Sequence, residues 1–471
     1  MAPLLNVDDE QPVQYQSHLL GHISKGASKP KEAPGWRFDT RQVHSGLEEK
    51  PAYGQCTLPI YNTVSFKFTS DDSAIFGFGD IAKRETFIYS RLANPTNNGF
   101  EKRMTALEGG VEGLAFSSGG AAVLGVVMSL AAVGDNVIIS GAIHSGTHHQ
   151  FHKVLSQLGI EARVCNVTED IERIRRLIDD NTKFIFTESL GNPSLAVPDF
   201  EPLAAIAHDY QIPLVVDATL TAGGYFCQPA EWGADIIIHS ATKWIGGHGT
   251  TLGGIVIGTA CSDWQANKAR FPRLHGQFPG LDAEQANWYK SVGDKAYMQF
   301  LKKDYMRDYG PCLTPLAAQQ LLIGVETLSV RCQRQSENAY AIARWLRAHP
   351  RVASVQYLGF DDHPSHQRAL KYFQRGFGTI VNFELKGGAA EAIKFIDCLK
   401  LITNTTNVGD AKTLIGHHRS TTHREFTTED NAVMGVSESL CRLSLGIEDI
   451  EDLIEDFEQA FQCVSIENFA K

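Results

Sequence analysis

From about residue 113 the chain sets down seven short apolar, β-branched runs at intervals long enough for a helix: Leu114–Phe116, Asn136–Ile139, Glu161–Cys165, Lys183–Phe186, Pro213–Val216, Asp235–Ile238 and Gly254–Ile257. Strands apolar on both faces must be covered on both faces, and helix-length connections supply that cover. The pattern therefore specifies an α/β fold built on a mostly parallel, doubly wound sheet. Ligands of such sheets bind at the carboxyl ends of the strands. Ser118, Asp217 and Lys243 each stand just past such an end.

What those ends carry narrows the chemistry. The string Ile-Ile-Ile-His-Ser-Ala-Thr-Lys, residues 236–243, delivers two phosphate-binding hydroxyls, Ser240 and Thr242, and one Schiff-base amine, Lys243. Asp217 closes an earlier buried run and can keep a pyridine nitrogen protonated. Ser118-Gly119-Gly120 is a glycine-rich turn feeding a helix N-terminus, which offers backbone N–H groups and a positive dipole end to a phosphate. Alone it is no more than a tight strand-to-helix turn. Together these residues read as a site for pyridoxal 5'-phosphate.

Two other constellations compete. Ser240-x-x-Lys243 matches the Ser-x-x-Lys of serine β-lactamases and penicillin-binding proteins. That class also needs Ser-Asp-Asn and Lys-Thr-Gly, and the nearest approach here is Lys412-Thr413-Leu414. His144, His148 and His152 recur every four residues, with His149 beside them, as zinc ligands on one helix face would. No glutamate lies between them as in His-Glu-x-x-His, so no metal is expected.

With 471 residues the chain has room for two domains. Its formal net charge of −11 argues against a nonspecific binder of nucleic acid or anionic membrane. Nine cysteines without a Cys-x-x-Cys pair suit reduced thiols. No basic leader and no run of about 18 apolar residues is present, so a cytoplasmic protein is expected. Residues 1–36 are polar and predict a flexible N-terminal arm; residues 37–100 form an N-terminal segment. Residues 101–313 hold the cofactor-binding α/β domain, with an aromatic- and proline-rich insertion over 260–300. A helical pattern from Thr314 to Ala348, strands over Val352–Tyr357 and Gly378–Glu384 and a helix over Ile447–Phe461 predict a smaller C-terminal α+β domain across 314–471.

A series of ordered markers runs from about Phe38 to Gln462: Tyr89-Ser90-Arg91, Asn94-Pro95-Thr96-Asn97, Leu107-Glu108-Gly109-Gly110, Asn192-Pro193, Asp217, Ser-Ala-Thr-Lys243, Gly246-Gly247-His248 and Arg442-Leu-Ser-Leu-Gly-Ile-Glu448. They resemble the Cys/Met-metabolism family of pyridoxal phosphate enzymes, within the aspartate aminotransferase fold type I. The 260–300 insertion and the string Asn407–Lys412 resemble its O-acetylhomoserine sulfhydrylase branch. The resemblance implies that Lys243 holds the cofactor and shuttles protons, that Asp217 pairs with the pyridinium, and that Ser118, Gly119, Gly120, Ser240 and Thr242 bind phosphate. It further implies that Tyr89 and Arg91 reach into the neighbouring subunit's site, so that the active form is an oligomer, expected as a homotetramer made from two dimers. Arg442 would clamp the substrate α-carboxylate, helped by Asn192 and Asn407.

Three departures from the family pattern stand near the expected site. His144 replaces a tyrosine over the cofactor, and an imidazole titrates nearer neutrality than a phenol. Val216-Asp217-Ala218-Thr219-Leu220 replaces Val-Asp-Asn-Thr-Phe. His417-His418-Arg419-Ser420-Thr421-Thr422-His423 replaces His-Pro-Ala-Ser-Thr-Thr-His, and Arg419 with the added histidine suggests a second substrate carrying a carboxylate. The string beginning at His144 is also similar to fungal specialised-metabolism members of the loline-pathway type. The expected function is γ-substitution on O-acetyl-L-homoserine, through a vinylglycine-level intermediate, with a carbon or nitrogen nucleophile. The alternatives are homocysteine synthesis from sulfide, and an inactive binding protein of the same fold, against which the intact Lys243 and Asp217 argue.

Overall fold

The apolar runs assemble as their two-sided character requires. In the computed structural model, which describes residues 35–47, 51, 53–68, 87–166, 171–275 and 292–464, they become β1 (Glu112–Phe116), β2 (Asn136–Ser140), β3 (Glu161–Cys165), β4 (Thr182–Glu188), β5 (Leu214–Asp217), β6 (Ile236–His239) and β7 (Gly254–Gly258). The arm expected over residues 1–36, apart from its last two residues, and residues 276–291 of the expected insertion lie outside the described residues.

The seven strands form one sheet in the order β1-β7-β6-β5-β4-β2-β3. β6, β5, β4, β2 and β3 run parallel, whereas β7 is antiparallel to both β6 and β1. The reversal has a local cause: residues 240–253 make tight turns around Lys243 rather than the crossover helix that a parallel return needs. Alternate residues of one strand enter opposite cores. Ile237 packs in one with Val216 and Ile185, and Ile236 and Ile238 pack in the other with Val215 and Phe186. Trp264, Phe271 and Leu274, from the described start of the insertion, belong to that second core, with Trp264 stacked on Tyr297 at 4.9 Å between ring centroids.

A second, five-stranded sheet follows: β8 (Val352–Gln356), β9 (Ile380–Leu385), β10 (Thr403–Asn404), β11 (Leu414–His417) and β12 (Leu440–Ser444), ordered β10-β11-β12-β9-β8. It is antiparallel except at β10–β11. β8 and β9 fall on runs visible in the sequence, but β10 to β12 do not, because β10 is two residues long and β12 carries an arginine in its centre. The helical pattern over 314–348 is two helices, Pro315–Glu326 and Leu328–Ala348, separated at Thr327, where φ is −115° and ψ 13°.

The start of β7 lies hard against the glycine-rich turn after β1. A methyl group on Gly254 would stand 2.1 Å from the Ser118 carbonyl oxygen. Gly254→Ala is therefore expected to cost about 1–3 kcal/mol through overpacking and to lower the melting temperature of the cofactor-free protein by a few degrees. Gly120→Ala, with nothing within 4 Å of the new methyl, should leave it in place. Equal melting temperatures for the two variants would contradict the close approach.

Candidate active site

Lys243 sits in a turn fixed from several sides. Its amide donates to the Ser240 carbonyl (3.1 Å), its carbonyl accepts from the Gly247 amide (2.7 Å), and the Gly247 carbonyl accepts from Ala411 (2.8 Å). Buried Arg331 holds the same turn from the Leu328–Ala348 helix, donating from Nη2 to the Trp244 and Gly324 carbonyls at 2.8 and 2.7 Å. Gly247 has φ +68°, and a Cβ there would meet Arg331 Nη1 at 2.0 Å, so both conformation and space demand glycine. So held, the Lys243 side chain reaches across to the second sheet, and Nζ donates to Asn407 Oδ1 at 2.5 Å. Burial first, then the charge of Arg442, pushes the Lys243 ammonium down to about 8. An amine so shifted is far more often unprotonated, and so nucleophilic, near neutral pH.

Asp217 ends β5 beside this turn. Its Oδ1 accepts from Thr219 twice, from the amide at 3.0 Å and from Oγ1 at 2.6 Å, while Thr219 Oγ1 in turn accepts from the Ser240 amide at 2.8 Å. Thr219 thus ties the Asp217 carboxylate to the Ser240–Lys243 turn, and it was not among the residues singled out by sequence. Among the described residues nothing bonds Asp217 Oδ2. Burial raises the Asp217 carboxyl above its ordinary range, which means that its ionised form gains from a cationic partner.

Glu188 ends β4 and stands opposite Asp217 in the register. Its Oε1 accepts from the His144 amide at 2.6 Å, and Oε2 is buried without a partner. Burial, then the neighbouring Asp217, raises this carboxyl well above its ordinary range, so the two acids together present one negative charge rather than two. Sequence held a signal for Glu188: like Asp217, it is a charged residue closing a buried strand. His144 presents its ring to the open cleft while protein closes around its other sides. Burial, then Lys243 and Arg442, pushes it down to about 4, which keeps the imidazole neutral.

The Ser118 turn opens the helix Gly119–Leu130, and Ser118 Oγ caps it by accepting from the Ala121 amide at 3.1 Å. Among the described residues neither the Gly119 nor the Gly120 amide has a partner. Gly119 packs against Ser240, whose Cβ would lie 2.6 Å from a methyl at 119. Two unpaired amides, a helix N-terminus and Ser240 thus share one small region, as a phosphate site requires. Thr242 is partly committed elsewhere: its Oγ1 accepts from the Gly253 amide at 3.0 Å and lies 3.2 Å from the Gly253 carbonyl. Tyr89 and Arg91 pair with each other at 5.5 Å and join none of the contacts above.

Arg442 lies in the middle of β12, with Gly416 and Asn382 as its neighbours in register. It is 4% exposed. Nη1 donates to Asn192 Oδ1 at 2.9 Å, Nη2 reaches the Thr406 and Asn407 carbonyls at 3.3 Å each, and Nε is buried without a partner. Among the described residues no carboxylate pairs with it, and burial alone pushes the guanidinium down to about 10. An uncompensated buried cation is expensive, so the site is built for an anion. Arg419 is not part of this group. Its Nε donates to Glu438 Oε1 at 2.9 Å in an ion pair towards the surface, and the buried neighbour facing the cleft is His418. The His148 and His152 rings lie 4.2 Å apart, and among the described residues no group of histidines, cysteines and acids is arranged to hold a metal.

Free phosphate-binding amides, an unbonded carboxylate oxygen and a depressed lysine around one cleft fit pyridoxal phosphate. Comparison with known proteins agrees. A family model described as "Cys/Met metabolism PLP-dependent enzyme" matches residues 39–462. "Sulfhydrylase-like protein lolC1" of Epichloe uncinata is 44% identical over 440 residues, covering 92% of this chain and 90% of that protein. "Sulfhydrylase FUB7" of Fusarium oxysporum f. sp. lycopersici is 42% identical over 429 residues, covering 90% and 97%. A solved Campylobacter jejuni structure, a putative O-acetylhomoserine (thiol)-lyase with N'-pyridoxyl-lysine-5'-monophosphate, superposes with a TM-score of 0.83 at 32% identity, covering 91% of this chain and 100% of that one.

The depressed Lys243 can be measured directly. In cofactor-stripped protein, carbamylation of Lys243 by cyanate should rise with pH and level off above about 8, and Arg442→Met should move that midpoint upward. A midpoint at the ordinary lysine value of about 10.4, unmoved by the substitution, would refute the proposed electrostatics.

Proposed function

The chain belongs to the Cys/Met metabolism family of pyridoxal phosphate-dependent enzymes, and from that premise we propose that it performs γ-substitution on O-acetyl-L-homoserine with a carbon or nitrogen nucleophile in specialised metabolism. At the coarser level it is a transferase of the γ-substitution or sulfhydrylase type, with pyridoxal 5'-phosphate as its cofactor. The observation that carries the proposal is buried Arg442, a cation with no carboxylate partner, close enough to depress the Lys243 amine. An amino-acid substrate brings an α-carboxylate to the first and an α-amino group to the second.

When bound, pyridoxal phosphate supplies an electron sink for charge developing beside the substrate amino group. The chain supplies everything else. Lys243 would hold the cofactor and, once released, move protons at Cα and Cβ. Asp217, through its free Oδ2, would keep the pyridine nitrogen protonated, with Thr219 fixing the carboxylate plane. Ser118, Ser240 and the Gly119 and Gly120 amides would take the phosphate, and Thr242 would brace the turn through Gly253. Arg442 would grip the α-carboxylate in the orientation set by Asn192 and the Asn407 carbonyl. Tyr89 and Arg91 would complete a neighbouring subunit's site, which makes the working form an oligomer, proposed as a homotetramer.

The choice of nucleophile rests on His144. A neutral imidazole presents a weaker acid and a better hydrogen-bond acceptor than a phenol, which suits a nucleophile arriving with its proton. A second reading, homocysteine formation from sulfide, is favoured by the word sulfhydrylase in the names of both fungal relatives.

Offered O-acetyl-L-homoserine with a mixture of sulfide, amino acids and β-keto acids, the enzyme should give mainly carbon- or nitrogen-linked products by mass spectrometry. Rapid homocysteine formation alone would establish the second reading instead. Arg442→Lys should raise KM for O-acetyl-L-homoserine about 100-fold with cofactor absorbance retained, since a point charge cannot reproduce the bidentate grip. His144→Tyr should move the product mixture towards homocysteine; an unchanged mixture would separate His144 from nucleophile choice.

A further inference from the structure

The segment after β11 buries three imidazoles, and they are not equivalent. His417 is satisfied at both nitrogens, by Ser420 Oγ at 2.8 Å and the Glu438 carbonyl at 2.9 Å. His418 and His423, 3% and 2% exposed, each direct Nδ1 at one shared hydroxyl: Thr422 Oγ1 lies 2.7 Å from the first and 2.9 Å from the second. Both Nε2 atoms are buried without a partner. The rings stand edge to face with centroids 5.2 Å apart, and the Thr421 and His423 amides lock the loop by donating to the His418 carbonyl at 3.1 and 3.0 Å. Arg442 and His144 bear electrostatically on both rings, and His148 on His423. The pair therefore borders the same cleft as Lys243 and Arg442.

Proton counting fixes what the pair presents. A hydroxyl has one proton and can donate to only one of the two rings. Each ring is held neutral by burial, reinforced by Arg442 and the other imidazoles. The ring that does not receive the Thr422 proton must carry its own proton on Nδ1, and so presents a bare lone pair at Nε2. When the hydroxyl proton is used, the other ring is protonated at Nε2. One acceptor and one donor then stand side by side, both uncharged. Leaving two such nitrogens unpaired costs about 1–3 kcal/mol each, a cost that a ligand would offset.

Resting on the γ-substitution reading, we propose that His418 and His423, coupled through Thr422, bind the second substrate and accept its proton, and so select a neutral nucleophile with a hydrogen-bond donor and an acceptor on neighbouring atoms. The X–H bond breaks, its electron pair stays on X and forms the bond to the γ-carbon, and the proton passes to the bare Nε2. The displaced acetate carries away the negative charge, and the imidazolium returns its proton to solvent before the next turnover. Hydrosulfide, already an anion, needs neither the base nor the donor. The carboxylate expected on the second substrate loses its support here, because Arg419 is engaged with Glu438.

The test compares hydrosulfide with two neutral probes, acetylacetone and glycinamide, on holoenzyme supplied with O-acetyl-L-homoserine. Thr422→Val and His418→Asn should lower kcat/KM for the neutral probes relative to hydrosulfide by about 100-fold, the range of a lost general base. Thr422→Ser, which keeps the hydroxyl, should retain the wild-type ratio. Cofactor absorbance and acetate release report whether each variant is folded and loaded. Equal losses with all nucleophiles, or wild-type enzyme that releases acetate yet couples only hydrosulfide, would overturn the proposal and leave γ-substitution standing. Wild-type enzyme that releases no acetate with any probe would instead remove the reading beneath it.

Discussion

Asn407 holds two cations at once. Its side-chain oxygen accepts from Lys243 Nζ, at the carboxyl end of the first sheet, and its backbone carbonyl accepts from Arg442 Nη2, in the middle of the second. The two sheets are thereby joined at the point where a lysine and an arginine share a buried region with no carboxylate paired to the arginine. Each positive charge makes the other less favourable, and burial adds to both. Such an arrangement lowers stability on its own. It becomes favourable once anions enter, which is why the phosphate turn at Gly119 and the carboxylate grip at Arg442 belong to one electrostatic design.

The acids nearby obey the same logic. Asp217 and Glu188 close adjacent strands and face each other in register. Were both ionised they would cancel the two cations and weaken the pull on a phosphate and a carboxylate. Burial raises both, and Glu188 further because Asp217 is its neighbour. Asp217 keeps Thr219 as a donor to its ionised form, whereas Glu188 receives only backbone donors from the cleft wall. Charge therefore localises on Asp217, and Glu188 serves to hold the His144 backbone in place.

The large sheet was legible in the sequence because its strands are apolar on both faces, a pattern that few other structures tolerate. The residues at the strand ends were legible for the same reason: Lys243, Asp217 and Ser118 interrupt apolar runs where ligands bind. β12 was not, since the arginine that gives it its purpose also breaks the run that would mark it as a strand. Thr219 and Glu188 were missed because their roles lie in contacts between neighbouring strands. The most instructive difference is one residue wide. Arg419 carries the charge that draws attention, yet it turns to Glu438, while His418 beside it turns inward and is buried.

That one-residue alternation bears on how a family can keep one half-reaction and vary the other. Groups that meet the amino acid are fixed by long-range contacts: Arg442 by Asn192 and Asn407, Lys243 by Asn407 and the Arg331 clamp. Changing any of them disturbs the joint between the sheets. His144 and His418 are held differently, one by a single amide bond to Glu188 and the other by a short loop that closes on itself. Substitution there alters which protons are present beside the cleft without moving the cations. Overall identity of about 42% to relatives called sulfhydrylases therefore reports the shared half of the reaction. The identity of the nucleophile is set by a few imidazoles whose tautomers, not their charges, decide what can be bound.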